Sequence, residues 1–160
     1  MTFGTITPEQ IAQYSGRELL EEMIAGRLPA PAMAGTLGFR LVEVGDGTAV
    51  FEAEPGPHLL NPLGSVHGGF ALTLIDSAAG CALHTQLHAG TGYTTVETKA
   101  NMVRPIDPAA GTVRCEGRVL SHGRQIATCE ARLLRADGKL LAHGTSTLII
   151  LHPRSEKNPR

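Results

Sequence analysis

The 160-residue sequence contains no tryptophan, and its composition is otherwise that of an ordinary globular protein. It lacks charge of one dominant sign: 14 basic residues face 15 acidic ones, a formal net of −1, so no global positive field invites nucleic acid. The N-terminus has no basic stretch followed by an apolar core, so no secretory signal is expected. The longest apolar stretch, Phe70 to Leu83, is interrupted by an aspartate and is too short to span a bilayer, so no membrane partner is expected. Cysteine is scarce: Cys81, Cys115 and Cys129 form no CxxC pair and no metal-ligand spacing. They read as small buried hydrophobes in a reducing compartment, with the cytoplasm as default. There are no internal repeats or low-complexity runs, and the length suits a single core.

What is present changes period along the chain. Apolar residues at Ile11, Leu19, Leu20, Met23 and Ile24, with glutamates between, predict a helix from Pro8 to Gly26. LPAPAMAGTLG reads as an extended, proline-restrained connector. GFRLVEV and TAVFEAE, joined by GDG, predict a hairpin. The Gly- and Pro-rich run GPHLLNPLGSVHGG cannot be regular throughout, and FALTLIDSAAGCALHTQLH is one long helix, apolar nearly all round. YTTVETKANMV, TVRCEGRVL, IATCEARLLR and LLAHGTSTLIIL then read as four strands. Alternating strands with one long helix among them predict an α+β fold, the helix covering one face of an antiparallel sheet. The expected organisation is a helix and connector over 1–35, a main domain over 36–151 and a disordered tail over 152–160.

Asp76 is the unusual residue. It is the one acid between Gly69 and Gly90, and no Lys or Arg occurs between Arg40 and Lys99. A carboxylate in such surroundings pays desolvation unless it is hydrogen-bonded. The helix opens at Val66-His67-Gly68-Gly69, where backbone N–H groups lack intrahelical acceptors and can hold an oxygen that develops negative charge. Gly68 precedes Asp76 by eight residues, roughly 12 Å along the axis, too far to act on the same carbonyl within one helix. Two antiparallel copies would bring the acid of one beside the helix start of the other.

The run Asn61-Pro62 … His67-Gly68-Gly69-Phe70 … Asp76 resembles the hotdog-fold acyl-CoA thioesterases of the phenylacetate-degradation (PaaI-like) group. The likeness extends from about Leu28 to Leu151 and includes LGFRLVEVGDG, Arg104-Pro105 and Gly123-Arg124. It implies a long central helix wrapped by a curved antiparallel sheet, a homodimer with continuous sheets and shared active sites, and often a homotetramer built as a dimer of dimers. It also implies that Gly68 polarises the thioester carbonyl through its N–H and that Asp76 acts as nucleophile or general base. Asn61 would help place substrate and water, and Thr95, with Thr94 a close rival, would assist. No cofactor is implied beyond coenzyme A, carried as part of the substrate.

Several other residues carry two readings. His67 orients Asn61 or the loop, or simply packs there. His84 and His88 are spaced for two metal ligands on one helical face, but no third ligand is near, so no metal site is expected. Gly69, Thr73 and Gly80 form a stripe of small residues that reads as close packing, with Gly69 also lining the substrate site. Arg104 and Arg124 are candidates for the coenzyme A phosphates, whereas Arg114, Arg118, Arg132 and Arg135 read as the outer sheet face. The competing functions are a hydratase or dehydratase on the same fold, with His67 and Asp76 moving protons, and a non-catalytic acyl-CoA-binding module.

Overall fold

A computed structural model describes residues 1–153; the tail expected to be disordered falls, from residue 154 onward, outside the described residues. The lead-in region forms two helices where one was expected, α1 (Pro8–Gln13) and α2 (Gly16–Ile24). The break has a local cause. Ser15 and Glu18 form a capping box that starts a new helix. Gly16 packs so tightly on the end of the long helix that a Cβ there would lie 1.8 Å from the His84 carbonyl oxygen. The Gly16 N–H meanwhile donates to the Leu87 carbonyl at 2.9 Å.

The connector is also not wholly extended. Ala32–Leu37 forms α3, entered from Pro31 and ended by Gly38 in the left-handed region at φ 71°. Proline restrains only the approach; the AMAGTL run beyond it is free to turn. The boundary drawn after residue 35 therefore falls inside a helix.

The six strands are β1 (Phe39–Gly45), β2 (Thr48–Ala53), β3 (Gly92–Met102), β4 (Val113–His122), β5 (Ile126–Arg135) and β6 (Leu140–Leu151). They form one antiparallel sheet in the order β1-β2-β4-β5-β6-β3, which leaves β3 on an edge. The long helix α4 (Gly68–His84) lies against this sheet, with Phe70, Ala71, Leu74, Ile75, Ala78 and Ala82 in the main core. The result is the hotdog arrangement: a central helix wrapped by a curved antiparallel sheet, preceded by N-terminal helices. Sheet and helix approach closely at Gly117, where a Cβ would sit 2.2 Å from the Ala78 carbonyl oxygen. The lead-in helices join the same core, since Leu19, Leu20 and Leu28 are buried with Phe39, Phe51 and Leu74.

The strand faces follow alternation. Val113 and Cys115 on β4, and Ala127, Cys129, Ala131 and Leu133 on β5, point inward. Arg114 lies on the outer face, bonded to Glu43 at 2.9 Å and to Glu116 at 3.1 Å, and Arg118 pairs with Glu130. Such exposed pairs contribute little to stability.

Candidate active site

Asp76 projects from the middle of α4 toward β3. The Thr95 and Thr98 hydroxyls both donate to its Oδ1, at 2.9 and 3.0 Å, and the Thr98 hydroxyl also bonds the buried Ser146 hydroxyl at 2.9 Å. Thr95 and Thr98 are three apart on a strand and by strict alternation would face opposite ways. A register shift between Thr95 and Glu97 inserts a bulge, so Val96 and Glu97 are both exposed and the inward face resumes at Thr98. The carboxylate is thus gripped on one oxygen. Among the described residues, no hydrogen bond falls on Oδ2.

That carboxylate lines a cavity of about 210 Å³. Ser77 and Cys81 from α4 and Tyr93 and Thr95 from β3 share its polar side, while Phe39, Leu41 and Phe51 supply apolar wall. Gly80 makes room for Tyr93: a Cβ at residue 80 would lie 2.6 Å from the Tyr93 hydroxyl oxygen. The small-residue stripe is in this respect close packing of helix on sheet. The Thr73 hydroxyl bonds back to the Gly69 carbonyl at 2.9 Å. Burial pushes the Cys81 thiol up to about 12, despite hydrogen bonding to Tyr93 and with the Asp76 charge adding to the rise. It also raises the Tyr93 phenol well above its ordinary range, helped by the charges of Cys81 and Asp76 nearby. Both shifts favour the protonated forms near neutrality.

The helix start is built differently from the acid's surroundings. His67 is the N-cap, its Nδ1 accepting from the Gly69 N–H at 2.9 Å, and the Phe70 N–H donates to the His67 carbonyl at 3.0 Å. Gly69 leaves room for this cap: a Cβ there would lie 3.0 Å from His67 Nδ1. Among the described residues the Gly68 N–H has no acceptor. Asn61 shapes the preceding loop: its Oδ1 accepts from the backbone N–H of Leu63 at 2.9 Å and of Ser65 at 3.3 Å, and its Nδ2 donates to the Ser65 hydroxyl at 2.9 Å.

Within one chain the expected site residues therefore fall into separate groups. Thr95 joins Asp76, whereas Thr94 is exposed on the outer face, opposite Ile149. Gly68 borders a different groove, between Val66, Met102 and Arg104. Arg104 donates to the Leu140 carbonyl at 2.7 Å and shares an adjoining pocket with Arg135 and Lys139. Arg135 thus stands beside a candidate ligand groove rather than only on the outer sheet face, although its guanidinium is paired with Asp137. Arg124 lies at the β4–β5 hairpin, near Ile126 and Ile149, and its carbonyl accepts from His152 Nε2 at 2.9 Å. The strand register puts Arg104 and Arg124 at opposite ends of the sheet.

His84 is partly buried with Nδ1 unpartnered, its ring tilted on Tyr93 at 5.5 Å, while His88 is exposed. The described residues include no cluster of three or more His, Cys, Asp or Glu able to hold a metal ion. None of their helices is long and apolar enough to cross a membrane. Thr98 and Ser146 were not singled out by sequence reasoning.

The thioesterase superfamily model matches residues 63–142, half of the chain, which contains the helix start, Asp76 and the threonines of β3. The protein belongs to the thioesterase superfamily. Among solved structures it is similar to a phenylacetic acid degradation-related protein of Ralstonia eutropha JMP134, with 30% identity and a TM-score of 0.74, covering 81% of this chain and 98% of that one. It is also similar to a variant of the phenylacetic acid degradation protein PaaI of Thermus thermophilus, with 27% identity and a TM-score of 0.67 over 74% of this chain and 97% of that one. A Saccharolobus solfataricus protein provisionally named an esterase is 29% identical over 118 residues, 74% of this chain and 82% of its own.

Proposed function

We propose that the protein hydrolyses acyl-CoA thioesters to free acid and coenzyme A, with Asp76 as nucleophile or general base. The observation that carries this reading is the Asp76 carboxylate at the wall of a largely apolar cavity, fixed through Oδ1 by Thr95 and Thr98 with Oδ2 left free. A thioester carbonyl is weakly conjugated, so a carboxylate and a well-placed N–H donor suffice without metal or further cofactor. Acting as base, Asp76 takes a proton from water as the oxygen adds to the carbonyl carbon. Acting as nucleophile, it forms an acyl anhydride that water then opens. In either route the developing oxyanion needs a donor, and coenzyme A leaves as a thiolate.

The donor is the Gly68 N–H of a second copy. Among the first N–H groups of α4, Gly69 is used by the His67 cap and Phe70 by the His67 carbonyl, which leaves Gly68 available. A copy is needed because Gly68 and Asp76 are separated along their own helix by roughly 12 Å. The β3 edge offers the contact: it has an unpaired side and exposes Val96 at 57%. Antiparallel pairing of β3 with its copy would carry the helix start of each chain toward the acid of the other. It would also carry Arg124 of one chain toward the Arg104 end of the other, which suits a coenzyme A bound between them. Asn61 and His67 then act as positioning residues that hold the loop and the free donor. Homodimers, paired into a tetramer, and a cytoplasmic setting in which the three thiols remain free complete the reading.

Free-thiol release from a panel of acyl-CoA thioesters tests it. Asp76→Asn and Asp76→Ala are expected to fold and to lose about 10²–10⁴-fold in kcat, the usual contribution of such a group. Turnover within about tenfold of wild type would remove Asp76 from the role. A 2-enoyl thioester that loses enoyl absorbance without releasing thiol would point to a hydratase instead.

A further inference from the structure

The cavity beside Asp76 is walled by the lead-in region as well as by the sheet and the long helix. Met23 from α2, Ala34 from α3, and Met1, Ala30 and Pro31 around them all line it. This wall is built in. Ala34 is 3% exposed, and Leu19 and Leu20 of α2 are buried in the main core. The first residues are tied down by the Gly4 N–H to the Ala30 carbonyl and the Ala30 N–H to the Thr2 carbonyl, both 2.9 Å. The Phe3 ring covers Gly35, where a Cβ would meet it at 3.0 Å. Arg40 reaches the same cavity but its guanidinium bonds Glu52 at 2.7 Å, so it does not give the space a free positive charge.

We propose that the lead-in region is the end wall of the acyl pocket, and that Met23 and Ala34 set the largest acyl group admitted. This rests on the thioesterase reading for the identity of the ligand. An apolar cavity of about 150 Å³ accepts benzene, so 210 Å³ takes a six-membered ring on a short linker or a chain of about six carbons. A long fatty acyl chain would have to displace packed helices. Because interiors are close-packed and yield little, a wall of this kind discriminates by size. The acyl class it fits is uncharged and compact.

The test uses thioether analogues, which bind without being hydrolysed, so it is read independently of turnover. The dissociation constants of S-hexyl-CoA and S-dodecyl-CoA are measured by calorimetry for the full chain, for Met23→Ala and for Ala34→Val. Wild type should prefer the hexyl analogue by at least about tenfold, the discrimination a packed pocket gives for a misfitting methylene or more. Met23→Ala, on a half-buried side chain, should reduce that preference several-fold, and Ala34→Val should weaken the hexyl analogue itself. If Ala34→Val fails to fold, Met23→Ala alone decides. Equal binding of the two analogues by wild type, no binding of either, or a Met23→Ala ratio unchanged within twofold would overturn the inference. Absence of thiol release from any thioester would instead defeat the hydrolase reading, leaving the binding ratios to judge the wall.

Discussion

Replacing Thr98 with valine removes one hydroxyl from the middle of the Asp76–Thr98–Ser146 chain. Two hydrogen bonds are lost, 3.0 Å to Asp76 Oδ1 and 2.9 Å to the Ser146 hydroxyl. A bond to a charged group contributes about 1.5–3 kcal/mol, and a buried hydroxyl left unpartnered costs about 1–3 kcal/mol. Ser146 is fully buried, so its hydroxyl has no water to turn to. Thr98→Val should therefore destabilise the fold by about 2.5–6 kcal/mol. Ser146→Ala alone should cost about 1 kcal/mol, because Thr98 keeps its bond to the carboxylate. The double variant should then be less destabilised than the sum of the singles by about 1–2 kcal/mol, since the orphaned hydroxyl is gone. Urea denaturation of the four proteins, followed by circular dichroism at one protein concentration, gives the coupling energy. Thiol release from the same samples should show kcat lowered in Thr98→Val and largely kept in Thr98→Ser, because Thr95 alone cannot fix the carboxylate as two donors do. Additive stabilities within about 0.5 kcal/mol would refute the chain of hydrogen bonds as drawn.

Two further outcomes follow from the packing. Burial lowers the His84 imidazole below its ordinary value, so the unfolded chain takes up a proton more readily than the folded one as pH falls through about 6.5. Stability present above that pH should be lost progressively below it, and His84→Leu should flatten this decline in melts compared at pH 7.5 and 5.5; an unchanged slope would place its origin elsewhere. Gly117→Ala should destabilise by about 3 kcal/mol or more, because its Cβ would meet the Ala78 backbone, whereas Gly92→Ala, with open space around it, should stay near neutral; equal melting shifts for the two would contradict the helix–sheet approach.

Much of this fold can be read from periodicity. Strands β4 and β5 keep alternation through Cys115, Cys129, Ala131 and Leu133, and α4 is apolar on nearly every side because sheet and lead-in helices enclose it. The lead-in region was less legible because its break has a local signal, the Ser15-x-x-Glu18 capping box, that competes with continuous apolar spacing, and a distant one, the His84 carbonyl against Gly16. Its apolar spacing runs on across Ser15 and Gly16, yet the helix breaks there so that Gly16 can sit on the His84 carbonyl. Nothing near residue 16 announces a partner some seventy positions away. The helix at Ala32–Leu37 was hidden by the two prolines that precede it, Pro29 and Pro31, which constrain only the approach to it.

The site divides in the same way. Asp76 stands out because an acid in an apolar helix is costly, and Gly68 because glycines open that helix, so both were visible as local anomalies. Thr98 was not, because its role depends on parity. Counted in twos from Thr95, it belongs on the outer face with Thr94 and Val96; the bulge reverses that assignment for the rest of β3 and turns Thr98 toward both Asp76 and its cross-strand neighbour Ser146. A threonine-rich edge strand facing a lone helix acid was the available signal, but only the register says which hydroxyls arrive. The bulge lies between the two threonines that grip one carboxylate oxygen. It converts a strand that could offer donors at every second residue into one that offers two on the same oxygen, while among the described residues the other oxygen accepts no hydrogen bond.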